Sequence, residues 1–176
     1  MLMAMPAQLL TRDQLDAAFT TLSDRLVERI TAATVILFGD AAMMFAYDAR
    51  AAVSHVDAAP QPRGIVLGAA RDAGQQLRLP AHWINDQATS SLPSRPADDV
   101  VEFRELPNLR LQTLGAESLL AMRALSPYRT EDADDIRLLA DRLGISSSID
   151  VEVLVAEIFP GRSLTGRART ILDDLL

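Results

Sequence analysis

The stretch ATVILFGDAAMMFAY, residues 33–47, decides how the chain folds. Ala33 to Phe38 is a short apolar run, partly β-branched, of the kind that forms a buried strand. Gly39 follows as a turn residue, and Asp40 to Tyr47 has the composition of a short apolar helix. The order strand, glycine turn, helix start is the feature around which the rest is arranged. A helix start presents unpaired N–H groups and the positive end of a dipole, which suits a phosphate, and glycine allows close backbone approach. Asp40 places a carboxylate at the same point. Its ordinary role there is to N-cap the helix, and we weight that reading above an anion site. A like-charge pair at about 4 Å costs on the order of 4 kcal/mol at an effective dielectric near 20, so Asp40 opposes a triphosphate unless a metal screens it.

Upstream, Thr11 and Gln14 form a capping-box pattern, and Leu15, Phe19, Leu22, Leu26 and Ile30 recur at helical spacing. The pattern predicts a helix over 11–31. Downstream, Ala52 to Ala58 (AVSHVDA) predicts a second strand, broken by Pro60 and Pro62. Ile65 to Leu77 reads as helix and Pro80 to Pro96 as loop. Val100 to Arg104 and Leu109 to Leu114 read as strands around a Pro-Asn turn. Four helices follow, over 117–125, 131–143, 149–158 and 164–175, with Gly144 as a stop. Strands before helices point to the α+β class. We expect an α/β core over residues 1–115 and a helical part over 116–176 packed on it.

The composition closes several routes. There is no cysteine, hence no thiol nucleophile and no Cys-type zinc site. All 17 basic residues are arginine, so a Walker lysine and a Schiff-base lysine are absent. A net charge of -7 disfavours nucleic acid, which needs a basic footprint, although a local arginine patch would still serve. No apolar run is long enough to span a bilayer, and residues 1–10 lack the basic start and apolar stretch of a signal peptide. The expected location is the cytoplasm. No G-x-S-x-G elbow and no G-x-G-x-x-G fingerprint occur. With histidine only at positions 55 and 82, any Ser-His-Asp arrangement must use one of them.

If Ala52 to Ala58 is one strand, His55 and Asp57 share a face. They would hold a divalent metal together or form a hydrogen-bonded pair at a strand end; imidazole favours zinc, manganese or iron over magnesium. Arg123 sits in an apolar helix. Asp132, Asp134 and Asp135 open the next one, where acidic residues complement the helix dipole and pair with Arg129 or Arg137 at the surface. His82-Trp83 offers a surface for base stacking, but a lone tryptophan is more often a packing anchor.

From about Leu15 onward the chain resembles a family of small bacterial nucleotidyltransferase-like proteins, related to the abortive-infection toxins of toxin–antitoxin pairs. The resemblance is carried, in order, by ILFGDAAMMFAYDAR, AVSHVDA, LPAHWIND, LRLQTLGAESLLAMRAL, YRTEDADDIRLLADRLGI and IFPGR. It implies a small mixed sheet flanked by helices. It also implies a nucleotide held at the Gly39 turn and a following strand with an Asp-x-Asp pair that holds Mg²⁺ or Mn²⁺ on an NTP. Here Gly39 matches and Asp40 does not; Asp57 matches the second acid and His55 replaces the first. Arg123 stands where the family often has lysine. Asp132 and Asp135 match the two acids of an Arg-Asp-x-x-Asp pattern, with Glu131 in place of its arginine. The resemblance therefore makes Asp57, Arg123, Asp132 and Asp135 the catalytic candidates, with Gly39 and Asp40 on the nucleotide. His55 and Asp57 are its metal candidates, and Glu102 is a third carboxylate. Three functions follow: a nucleotidyltransferase-fold protein with a degraded metal motif that acts by binding; an active toxin-type enzyme that transfers a nucleotide to RNA or protein with altered metal preference; or a non-catalytic interaction module. A nucleotide and an antitoxin-like protein are the corresponding partners.

Overall fold

The computed structural model describes residues 8–126 and 130–176 and has an α+β fold built on a mixed sheet. Seven α-helices occur among the described residues. The chain groups into two compact units, residues 1–89 with 102–113 and residues 90–101 with 114–176.

In the first unit, β1 (Leu10–Thr11) leads into α1 (Arg12–Glu28). Thr11 is the N-cap, and the capping box with Gln14 is complete. One face of α1 buries Leu15, Ala18, Phe19, Leu22 and Leu26 as the apolar pattern requires, but Ile30, expected on the same face, lies past the end of the helix with a φ of 52° and is 92% exposed. Next come β2 (Ala33–Phe38), α2 (Gly39–Tyr47), β3 (Ala52–Val53), β4 (Val56–Gln61), α3 (Arg63–Leu77) and β5 (Ile84–Asn85). The hairpin β6 (Val100–Leu106) and β7 (Leu109–Leu114) turns at Pro107-Asn108, where Asn108 takes a φ of 57°. The five-stranded sheet runs β5-β4-β2-β7-β6. β2 pairs antiparallel with β4 and parallel with β7, which explains why ATVILF is apolar at every position but Thr34, the one residue of the strand that is only half-buried. The core gathers Phe19, Leu22, Val35, Leu37, Trp83 and Leu111.

Two expectations are corrected. Ala52 to Ala58 is not one strand: β3 pairs with β1 in a separate two-stranded sheet and β4 joins the main sheet, so Ser54 and His55 bridge the two. Pro60 does not end the strand; it is buried inside β4, opposite Val35. This is tolerated because β5 pairs only with Val56 and Asp57, which leaves no ladder on that edge of β4 at Pro60 to need its missing N–H.

The second unit holds α4 (Ala116–Leu125), α5 (Thr130–Leu143), α6 (Ser148–Ile158) and α7 (Gly166–Leu175). Ser147 and Thr165 cap α6 and α7 through their side chains, and Gly144 ends α5 with a φ of 68°. No helix among the described residues is long and apolar enough to cross a membrane.

Candidate functional site

The Gly39 turn lies at the C-terminal end of β2. Phe38, the last residue of β2, is paired with Asp57 on β4, and Asp57 is paired with Asn85 on β5. Three strands thus bring Gly39, Asp57 and Asn85 side by side. Gly39 has a φ of 62°, a left-handed backbone, and a Cβ placed there would meet Asp57 Oδ2 at 2.9 Å. Glycine is needed for both reasons. The N-cap of α2 is Phe38, so Asp40 falls in the first turn and not at the cap. Its carboxylate lies 3.5 Å from the Arg50 guanidinium.

Asp57 is held from two sides. His55 Nε2 lies 3.1 Å from Asp57 Oδ1, and Asn85 Nδ2 donates to the same oxygen at 3.4 Å. The second ring nitrogen of His55, Nδ1, lies 2.9 Å from Ser54 Oγ. The histidine and the aspartate therefore meet as expected, but not as i and i+2 of one strand, since His55 precedes β4. Ser54, His55, Asn85, Gln87 and His82 line a cleft of about 450 Å³ beside the turn.

Burial pushes the Asp57 carboxyl above its ordinary value; the charge and hydrogen bond of His55 pull it back, nearby Asp40 raises it, and Asn85 lowers it. A raised folded value means that Asp57 contributes its stability fully below the ordinary value of 3.8 and loses it as pH climbs through the raised one. Asp57→Asn stays neutral throughout. We expect its melting temperature to exceed that of the parent chain near pH 7 and the gap to close toward about pH 4. Thermal melts across that range check this, and a lower melting temperature for Asp57→Asn near pH 7 would contradict it.

The donor set does not fit a resident Mg²⁺ or Mn²⁺. Magnesium wants an octahedron of oxygens, whereas this turn offers one carboxylate already hydrogen-bonded twice and an imidazole with both nitrogens engaged. Asp40 faces Arg50. Among the described residues no group of three or more His, Cys, Asp or Glu is placed to hold a metal ion. Glu102 is not on a strand next to Asp57. It lies on β6, three strands from β4 and about 14 Å away at ordinary strand spacing, and pairs with Arg110.

Arg123, Asp132 and Asp135 are brought together in the second unit. Arg123 Nη1 lies 3.1 Å from Asp132 and Nη2 3.1 Å from Asp135, with side chains 13%, 5% and 1% exposed. The guanidinium grips both carboxylates and ties α4 to α5. Arg137 pairs with Asp134 at the surface, as expected, while Arg129 and the side chain of Glu131 lie outside the described residues. No protein-family model, curated protein or solved structure matches this chain.

Trp83 is a packing anchor and not a stacking platform. It is 1% exposed, its indole N–H donates to Ala70 O at 2.8 Å, and its ring stands edge-on to Phe19. Gly74 makes room for it: a Cβ there would meet Trp83 Cδ1 at 2.8 Å. Sequence reading missed Asn85, Ser54 and Arg50 as members of the site. A two-residue strand such as β5 has no periodicity to detect, and Arg50 meets Asp40 from beyond the left-handed end of α2 at Asp48, φ 54°, a change of direction with no local pattern.

Proposed function

We propose that this is a nucleotidyltransferase-fold protein whose metal motif is degraded and which acts by binding instead of by Mg²⁺-dependent nucleotidyl transfer. The observation that supports the reading is the Gly39 turn. A left-handed glycine at a strand-to-helix junction lies against a carboxylate from the neighbouring antiparallel strand, a geometry suited to holding a nucleotide. In an active metal enzyme that carboxylate would hold the metal ion that screens the phosphates. Here Asp57 is turned to His55 and Asn85 instead. The added charge of Asp40 beside it works against unscreened phosphates.

Calorimetric titration with each NTP, in Mg²⁺ and in Mn²⁺, tests the proposal together with a label-transfer assay to RNA and protein acceptors. We expect binding that Gly39→Ala, whose Cβ would meet Asp57 Oδ2 at 2.9 Å in the turn, weakens about tenfold, roughly 1.4 kcal/mol, with no transfer. Transfer that Asp57→Ala abolishes would overturn the reading in favour of an active enzyme. Absence of binding under every condition would overturn it in favour of a protein-interaction module.

A further inference from the structure

The residues that replace a metal pair at this turn form a hydrogen-bonded series of their own. Asp57 Oδ1 and His55 Nε2 are 3.1 Å apart, and His55 Nδ1 and Ser54 Oγ are 2.9 Å apart. With Asp57 ionised and the imidazole neutral, one protonation pattern satisfies both contacts. Nε2–H donates to the carboxylate, Nδ1 keeps its lone pair, and the Ser54 hydroxyl donates to Nδ1. This order of alcohol, imidazole and carboxylate is the one that activates a serine: the carboxylate fixes the tautomer and the free nitrogen takes the proton. The use of Nδ1 as the base follows from Ser54 and His55 being adjacent in sequence.

The backbone around the series is fixed on both sides. Val53 ends β3 and Val56 begins β4, both are buried, and Val56 N donates to Trp83 O at 2.7 Å. Ser54 and His55 therefore span two anchored strands, which limits the orientations their side chains sample. Ser54 itself is exposed and opens on the 450 Å³ cleft. His82 and Gln87 line the same cleft and carry side-chain N–H groups of the kind that stabilise an oxyanion.

We propose that Ser54 is a nucleophile toward a small, uncharged carboxylic ester. The charge of the surroundings selects this class, since Asp57 and Asp40 disfavour an anionic phosphoester while a neutral acyl group meets no such opposition. Ser54 Oγ bonds to the acyl carbon as its proton passes to His55 Nδ1. The ester C–O bond then breaks and the alcohol leaves with that proton. Water, surrendering a proton to His55 Nδ1, adds to the acyl-serine; Ser54 leaves and recovers the proton, and the carboxylic acid is released. The hydrogen-bonded geometry of the series carries this inference independently of the nucleotide-binding reading.

The full chain treated with a neutral alkyl fluorophosphonate, followed by intact-mass measurement and peptide mapping, provides the test. We expect a single adduct on Ser54 with loss of fluoride, no adduct in Ser54→Ala, and a labelling rate at least about tenfold lower in His55→Gln. Melting curves of both variants establish that they are folded. No adduct on the parent chain, an adduct at another residue only, or labelling of folded His55→Gln at the parent rate would each overturn the proposal. Nucleotide titration of Ser54→Ala reports on the binding reading separately, because that variant retains Gly39 and Asp57.

Discussion

Arg123→Met lowers the stability of the second unit by about 3–5 kcal/mol, because it withdraws a guanidinium from two carboxylates that are 5% and 1% exposed. For a chain of this length that corresponds to a fall in melting temperature of roughly 6–20 °C. The size of the effect comes from desolvation and not from the attraction alone. Both carboxylates are buried and both face this guanidinium, so its withdrawal leaves each with less compensation for its lost hydration. Methionine keeps much of the side-chain volume, so a cavity contributes little. Adding Asp132→Asn and Asp135→Asn to Arg123→Met therefore recovers most of the loss, since neutral amides do not need the guanidinium. Denaturant melts of the single and triple variants check this. A fall below about 1 kcal/mol for Arg123→Met would mean that the cluster behaves as an ordinary surface pair.

The second large effect is expected at Gly115. Its φ of -72° suits any residue, so the glycine is required by space alone. A Cβ at this position would sit 1.7 Å from Asp99 Oδ1. Asp99 acts as a remote cap for α4. Its Oδ2 accepts from Ser118 N at 2.8 Å, the N–H that a capping side chain normally takes, while its carbonyl oxygen accepts from Gly115 N at 2.9 Å. Gly115→Ala expels that carboxylate and uncaps the helix. We expect a loss of about 2 kcal/mol or more, against about 1 kcal/mol for Asp99→Ala, which removes the cap without a clash. The double variant should lie within about 0.5 kcal/mol of Asp99→Ala, because the three atoms nearest the alanine methyl all belong to the carboxyl group that Asp99→Ala removes. Additive losses in the double variant would show that the two residues act separately.

Legibility followed the range of the interactions. The helix 12–28 was readable because its cap, Thr11 with Gln14, and its apolar face lie within one short stretch. ATVILF was readable because both edges of β2 are paired and all of its residues but Thr34 are buried, so five of six positions carry the same apolar signal. The stretch 52–58 was misread because its alternation does not change where the chain leaves one sheet for another at Ser54 and His55. Pro60 was misread because the penalty for proline depends on whether a neighbouring strand needs its N–H, and that is set by where β5 stops. The meeting of His55 and Asp57 was anticipated through a shared strand face; it arises instead because the bridge between two sheets turns His55 back over the start of β4.

The sequence by itself determined the α+β class, the helices of the second half and a glycine turn after the buried strand 33–38, since helical and strand periodicities are written within about ten residues. Only the tertiary structure decided the strand order, the place of Asn85 beside Asp57, the cap that Asp99 lends to α4 and the engagement of both nitrogens of His55. Each of these joins groups through packing free energy or a single hydrogen bond across a gap in the chain or a change of direction, and no local pattern records such a contact.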